Sequence, residues 1–130
     1  MAGYASVNKA LVAALHAETG ARCVTVLPAN LADVLPVIQV DRFGGGDSVL
    51  TLDDANVDID VYAADLASAE DLAEQVRLFL RTGLPRTVVA DGAAVVSRVR
   101  TITGPSRLPY DNTGLVRVGA AYQVTLHSRL

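Results

Sequence analysis

The sequence predicts an α+β domain: a mainly antiparallel β-sheet with two helices packed on it, in the order α-β-β-β-α-β-β. Two observations support this class. Residues 57–61 alternate apolar and polar side chains, the period of a half-buried strand, whereas apolar residues of 69–80 follow one helical stripe. Residues 116–126 alternate again and predict a strand of about 36 Å at ~3.3 Å per residue. The length of 130 residues, 51% of them hydrophobic, indicates one domain over residues 1–130.

The first helix is predicted near the N-terminus. Val7, Leu11 and Leu15 share one helical face, with Ser6 as a possible N-cap and Gly20 just past the end.

Two strands follow, separated by an irregular stretch. Residues 22–27 and 37–42 are apolar enough for strands, and Pro36 disfavours helix between them. Phe43 then opens a glycine-rich run, Gly44-Gly45-Gly46-Asp47, which we expect to be a loop.

The second half of the chain is predicted to hold a strand within 50–64 and a helix over 69–82. Ser68 and Asp71 resemble a capping box for that helix, and Gly83 with Pro85 would stop it. Long strands are expected at 93–103 and 115–128. The connection between them, 104–114, is too long for a tight hairpin turn.

Composition and charge exclude several classes of protein. A formal charge of −3 and a pI near 5.2 argue against a general nucleic-acid binder. Cys23 is the only cysteine and lies in an apolar run, which indicates a buried, inert thiol in a reducing compartment. The sequence shows neither a secretory signal nor a membrane span, so we expect a soluble, intracellular protein.

Motifs that could carry chemistry fail on inspection. Asp54, Asn56, Asp58 and Asp60 imitate the start of a calcium loop, but Ile59 stands where that loop needs glycine. The glycine run leads into acid and a strand, not into the Lys-Ser/Thr and helix of a phosphate loop. The two histidines, at positions 16 and 127, belong to no recognisable catalytic pattern. We therefore expect neither catalytic residues, nor a metal, nor a cofactor.

The charged residues of the strands are more suggestive. Arg98 and Arg100 share one strand face, Asp58 and Asp60 share another, and Arg117 lies on the polar face of the last strand. These faces could pair across one sheet or between subunits. They could equally be two solvated faces that contribute little.

The whole pattern resembles the tail terminator, or tail-to-head joining, proteins of long-tailed bacteriophages. The resemblance covers nearly the full chain. In the first half it rests on an N-terminal helix, the segment LPVIQV at 35–40 and a loop beginning FGG at 43–45. In the second half it rests on the strand VDIDVYA at 57–63, the helix after it, and two closing strands around GPSRLPYDNTG at 104–114.

The resemblance implies a structural protein of the virion tail, assembled in the host cytoplasm, and not an enzyme. Such proteins form a ring, usually hexameric, that ends tail-tube polymerisation and joins the tail to the head. The partners would be further copies of the chain, the tail tube protein and the head-tail connector protein. Phage DNA would pass through the lumen without specific binding, and no membrane would be involved.

Interface residues can be nominated on physical grounds, because tyrosine, arginine and exposed loops are favoured at contacts. The candidates are Phe43, Gly44, Gly45, Asp47, Asp58, Asp60, Arg98, Arg100, Arg107, Tyr110 and Arg117. Two alternatives stay open at this point. The chain could be another neck or head-completion component, or a small α+β ligand-binding or enzymatic domain whose site leaves no sequence signature.

Overall fold

A computed structural model describes residues 3–111 and 114–130 and has the predicted α+β architecture. Its six strands form one sheet in the spatial order β1-β2-β3-β6-β5-β4, in which β1 and β2 are parallel and every other neighbouring pair is antiparallel. The strands are β1 Arg22–Val24, β2 Val37–Val49, β3 Leu52–Ala63, β4 Val88–Val89, β5 Ala94–Leu108 and β6 Val116–Ser128; the helices are α1 Val7–Thr19 and α2 Leu66–Leu78.

Helix α1 begins and ends where the sequence indicates. The Ser6 hydroxyl accepts a hydrogen bond from the Lys9 amide at 3.3 Å. Gly20 ends the helix in the left-handed conformation, with φ of 75°, and its amide donates to the His16 carbonyl. Leu11 and Leu15 are fully buried on the core face, so truncation of either to alanine should cost about 2–5 kcal/mol.

Helix α2 begins earlier than predicted, and its N-cap is a different residue. Asp65 is the N-cap, and its carboxylate accepts a hydrogen bond from the Ser68 amide at 2.8 Å, so the proposed Ser68–Asp71 capping box was wrong. After Leu78 the chain continues as one π-helical turn, Phe79–Gly83. A Cβ at residue 83 would lie 2.7 Å from the Phe79 ring, so the glycine lets this ring pack against the last turn.

The main core lies between one face of the sheet and the two helices. It combines the buried faces of α1 and α2 with the inward residues of the central strands, of which β3 and β6 contribute Ala55, Val57, Ile59, Val61, Val118, Ala120, Tyr122, Val124 and Leu126. A smaller cluster on the opposite face holds Leu31, Val37, Tyr62 and Leu115. The irregular segment before β2 therefore covers one end of the face that lacks helices.

The glycine-rich run is not the predicted loop. Residues 43–47 belong to β2, which pairs with β3 as far as Val49 and turns back through Leu50 and Thr51. Phe43 marks a β-bulge, because the register shifts between its two neighbours. Gly45 has φ of 113°, and a Cβ there would overlap the Asp54 carbonyl oxygen. The glycines thus allow two strands to approach closely.

The expected connection at 104–114 is also shorter than predicted. Strand β5 extends through Pro105 to Leu108 and therefore includes Arg107, which lies within the predicted connection. The register with β6 shifts three times along β5, and one shift lies between Thr103 and Ser106. An edge strand tolerates proline at such an irregularity, because no ladder hydrogen bond is needed there. Residues 112 and 113 of the predicted connection lie outside the described residues.

Candidate assembly interface

The sheet presents one broad polar face, opposite the helices, which we call the outer face. It carries Asp41 of β2; Asp54, Asn56, Asp58 and Asp60 of β3; Arg117, Gln123 and Thr125 of β6; and Arg98 and Arg100 of β5. Residues paired in register on neighbouring strands lie on the same face of a sheet, and alternate residues along one strand also share a face. By these two rules, all the residues named above lie on the face opposite the main core. The alternation predicted from the sequence for β3 and β6 places them there.

Asp60 and Arg117 form the strongest polar contact of the outer face. The Nη2 and Nε atoms of Arg117 lie 2.7 and 3.0 Å from Oδ2 of Asp60, across the β3–β6 pair. Asp60 is only 7% exposed. Burial opposes the charge of Arg117, but the hydrogen bond and the nearby carboxylate outweigh it and raise the pKa of Arg117. This pair therefore ties the two central strands together within one protomer.

Glycine at position 119 makes room for this ion pair. A Cβ there would lie 2.6 Å from Oδ1 of Asp60 and would also overlap the Leu108 side chain. A shallow depression of about 210 Å³ lies here, lined in part by Asp58, Asp60 and Arg117. The open space is thus a consequence of small residues on β6.

Asp58 is exposed beside other acids. It is paired in register with Asp41 of β2 and lies two residues from Asp60 on the same strand face. Partial burial, followed by the repulsion of Asp60 and Asp41, raises the pKa of Asp58. The β2 side of the outer face is therefore acidic, with Arg117 as its nearest compensating charge.

Arg98 and Arg100 lie on the other side of the outer face. They are paired in register with Thr125 and Gln123 of β6, so a whole strand separates them from the β3 carboxylates. Neither arginine forms an ion pair with any residue that the structure describes. Acidic and basic side chains of the outer face therefore meet at Asp60 and Arg117, whereas Asp41 and Asp58 are exposed on the β2 side and Arg98 and Arg100 on the β5 side.

The end of β2 is exposed over residues 43–50, and we call residues 43–52 the hairpin arm. Phe43, Val49 and Leu50 are 51%, 52% and 71% exposed, which is unusual for large apolar side chains. The Tyr4 hydroxyl lies 2.8 Å from Oδ2 of Asp47 and 2.5 Å from the Leu50 carbonyl oxygen. The segment before α1 therefore fastens the tip of the arm.

An ion pair that the sequence analysis missed holds the base of the arm. Arg42 donates two hydrogen bonds to Asp53, at 2.6 and 2.7 Å, and a third from Nε to the Gly44 carbonyl at 2.9 Å. The hydrogen bond to Asp53 raises the pKa of Arg42, although partial burial opposes this. Asn8 of α1 accepts from the Arg42 amide at 3.0 Å. The arm is thus fixed rigidly to the helix layer.

The two remaining candidates lie at the far end of the sheet. Arg107 is exposed near the end of β5 and forms no ion pair with a described residue. Tyr110 packs edge-on against Tyr62, with ring centroids 5.3 Å apart. The Tyr62 hydroxyl donates to Gln39 at 3.2 Å. Tyr110 therefore helps to close the small outer cluster as well as being partly exposed.

The described residues include no group of three His, Cys, Asp or Glu side chains that could hold a metal ion. Burial raises the pKa of Cys23 to about 11, so this half-buried thiol is protonated at neutral pH. The open grooves beside α1, of about 490 and 510 Å³, are lined mainly by small or apolar residues. Across residues 3–111 and 114–130, every helix is too short or too polar to cross a bilayer.

Comparison with known proteins identifies the family. The model of the family described as phage tail termination protein matches residues 3–129. The chain belongs to this family. Its fold is similar to that of a chain in the solved virion of a native gene transfer agent particle, with a TM-score of 0.65 and 15% identity over 95% of this chain and 96% of the other. No curated protein matches the sequence.

Membership confirms the resemblance drawn from the sequence. A phage tail termination protein is a structural component of the virion tail, and as such it contacts other phage proteins. Contact with other phage proteins fits the large apolar and charged side chains that the strands expose.

Proposed function

We propose that this protein is a tail terminator: copies of it close into a ring on the finished end of the tail tube, stop tube polymerisation and present a surface to the head-tail connector protein. The observation that carries the proposal is the family match over residues 3–129. It favours this role over the neck component and the ligand-binding or enzymatic domain that the sequence left open.

Several features of the protomer suit a ring. Head-to-tail contacts that close on rotation need two different, complementary surfaces on each copy. The sheet has an acidic side, with Asp41 and Asp58, and a basic side, with Arg98 and Arg100. The ring would be homo-oligomeric, and we propose a hexamer. Phage DNA would pass through its lumen without specific binding, in keeping with the net charge of −3.

The hairpin arm is the strongest candidate for contact with another phage protein. Its tip exposes Leu50 beside Val49, and its base is fastened by Arg42 and Asp53. A preorganised apolar tip loses little entropy on binding, which favours its use as an anchor. The tube protein is the partner that we assign to this tip, since termination requires contact with the last tube ring.

Tail length provides the direct test. Purified tube protein would be polymerised with increasing amounts of this protein, and tube lengths measured by electron microscopy. We expect tubes to stop growing and to carry a ring at one end. In infected cells, loss of the protein should give overlong tails. The proposal would be contradicted if the tubes kept their usual length distribution and the protein either bound along their sides or did not bind to them at all.

A matched pair of variants separates the arm from a general effect of surface charge. Leu50→Asp alters the exposed tip, whereas Leu78→Asp alters a leucine of α2 that is 65% exposed and lies away from the arm. Both variants should fold, because neither side chain belongs to the core. We expect only Leu50→Asp to lose termination. If both variants terminate tubes as well as the wild type, the arm does not contact the tube protein, but the proposal of termination still stands.

A further inference from the structure

The sheet has an open edge on each side. Strand β1 pairs with β2 only through residues 37–39, and the next stretch of that edge is covered where Asn8 accepts from the Arg42 amide. Beyond this point, among the described residues, no strand lies beside residues 43–49. We call this stretch the β2 edge.

The opposite side of the sheet repeats this arrangement. Strand β4 pairs with β5 only at residues 94–95, and the segment before β4 bonds both backbone groups of Val96. Arg81 then donates to the Val99 carbonyl at 2.5 Å. Beyond it, residues 100–108 have no neighbouring strand within the described part of the chain. We call this stretch the β5 edge.

Two register shifts and the contact of Tyr4 with Asp47 are the main protection of the β2 edge among the described residues. Isolated proteins normally blunt an open edge with lysine, proline, inward charge or a covering loop, because unpaired backbone groups invite pairing with another chain. Residues 43–49 contain neither lysine nor proline and expose Phe43 and Val49. The β5 edge has Pro105 as an interruption, but it also exposes Ile102. Such edges are typical of strands that are covered in the assembled state.

Strand direction allows the two edges to join. In the order β2-β3-β6-β5 each neighbouring pair is antiparallel, so β2 and β5 of one protomer run in opposite directions. When a second copy is placed beside the first by rotation alone, its β5 comes to lie antiparallel to β2. The same contact can then repeat around a ring, because each copy offers one edge and receives the other.

The charges of the two edges are complementary. The β2 edge and its surroundings carry Asp41, Asp47 and Asp58, and the β5 edge carries Arg100 and Arg107, with Arg98 just before it. None of these three arginines forms an ion pair with a described residue. Opposite charges facing one another across a contact steer association and suppress pairing between like edges.

The positions of the open edges fit a closed sheet. Gly46, in the middle of the β2 edge, lies level with Thr125 of β6, and the middle of the β5 edge lies level with Ala120. Along β6, residues 120 and 125 are five residues apart, which is about 17 Å at ~3.3 Å per residue. Across the sheet, the four strands of one copy span about 19 Å at ~4.8 Å per strand. The ratio of these two lengths sets the tilt of the strands. Joining the edges therefore tilts the strands by about 40°, within the range of about 35–45° found in closed barrels.

We propose that the β2 edge of one copy pairs, antiparallel, with the β5 edge of the next copy, so that the sheets of all copies form one continuous closed sheet. The occupant of each edge is thus a second copy of this chain. The proposal rests on the ring of the proposed function and specifies the strands that build it. Pro105 interrupts the new ladder at the existing bulge near residue 104, so pairing uses the residues on either side.

Disulfide trapping tests the proposal directly. In a Cys23→Ser background, Ser48→Cys would be combined with Ile102→Cys, or with Thr103→Cys to sample the neighbouring register. On mild oxidation in the presence of tail tubes, we expect a ladder of covalent multimers up to the full ring on non-reducing gels. The control combines Ser48→Cys with Ala17→Cys, an exposed residue of α1 away from both edges, and should remain monomeric.

Charge reversal gives an independent readout. Arg107→Glu should raise the protein concentration at which half of the chains are in rings by about tenfold or more, because with Gly46 beside residue 104 it lies opposite Phe43, two residues from Asp41 of the next copy. Arg22→Glu changes the net charge equally on an exposed residue of β1 and should leave that concentration unchanged. Light scattering would measure both variants.

The outcomes distinguish this inference from the proposed function. Rings that terminate tubes but yield no multimer ladder from either edge pair would overturn the edge pairing and leave termination standing. Dimers formed by Ser48→Cys alone would show that like edges meet, which also overturns it. A wild-type chain that neither forms rings on tubes nor limits their length would overturn both.

Discussion

Gly45 offers a sharp test of how the hairpin arm is built. Its φ of 113° lies outside the conformations that residues with a side chain readily adopt, and a Cβ would overlap the backbone oxygen of Asp54. Gly46 is the matched control, since it lacks a positive φ and a Cβ there would meet nothing within 4 Å. The same substitution at adjacent positions should therefore have opposite effects.

The magnitudes follow from the two backbone conformations. Gly45→Ala should cost about 1–3 kcal/mol from backbone strain alone, and more if the overlap with β3 forces the strands apart. Gly46→Ala should be neutral or stabilise by about 0.4–1 kcal/mol, because alanine restricts the unfolded chain. With a urea m-value of about 1–3 kcal/mol/M, the two midpoints should differ by about 0.3–4 M, with a central value of roughly 1 M.

Urea unfolding followed by circular dichroism would measure this difference. The curves should be recorded at several protein concentrations, because ring formation would add a concentration-dependent contribution to stability. Equal midpoints for the two variants would refute the close approach of β2 and β3 at Gly45. A lower midpoint for Gly46→Ala than for Gly45→Ala would show that the close approach to β3 occurs at residue 46.

Three further predictions concern single side chains. Arg117→Met should lower the free energy of unfolding in urea by about 1–3 kcal/mol, because it leaves the buried Asp60 carboxylate unpaired. The effect stays moderate because a third of the arginine side chain is exposed to solvent. An unchanged midpoint would show that the ion pair contributes nothing to stability. Tyr122→Phe should be neutral or raise the midpoint, since the buried hydroxyl has no partner among the described residues and the pKa of Tyr122 is raised to about 12 by burial; marked destabilisation would reveal an undetected partner. The hydrogen bond from the Ser68 amide lowers the pKa of Asp65 below its ordinary value of 3.8. The Asp65 carboxylate therefore stabilises the fold at pH values above 3.8, and this stabilisation is lost as the pH falls through the lowered pKa of the folded state. Asp65→Ala should therefore lower the melting temperature at pH 7 but not in strong acid, whereas Asp71→Ala, which caps nothing, should have little effect at either pH.

The elements predicted correctly from sequence are those specified by local signals. Helix α1 has its cap, apolar stripe and terminal glycine within fifteen residues, from Ser6 to Gly20. The residue types of β3 and β6 alternate because one face of each strand packs against the core. In these segments, propensity, period and termination signals agree, and such agreement makes a prediction dependable.

The errors arise where one residue type serves two purposes. Glycine favours loops, but it also permits the close approach of strands, and only the position of Asp54 on the neighbouring strand decides between them at Gly45. Likewise, Pro105 suggests the end of a strand unless that strand is an edge with a bulge. Both decisions depend on contacts distant in sequence.

The candidate interface was predictable in composition but not in arrangement. The sequence shows that Asp60 and Arg117 lie on polar strand faces, but their pairing requires that β6 lie beside β3, with β5 on its far side. The Arg42–Asp53 pair depends on the hairpin register, which a two-residue turn without an Asn-Gly or Asp-Gly signal does not reveal. Tertiary register, more than residue type, was therefore the missing information.

The edge pairing also bears on how DNA would pass through the ring. Helices about 10 Å in diameter cover one face of the sheet, so an open lumen requires that the other face point inward. That outer face carries four aspartates and three arginines, namely Asp41, Asp54, Asp58 and Asp60 against Arg98, Arg100 and Arg117. Retention of DNA depends on clustered cations that displace its counterions. In the proposed ring, a nearly neutral wall with Arg117 already engaged by Asp60 offers few such cations, so DNA would slide past this face without being held.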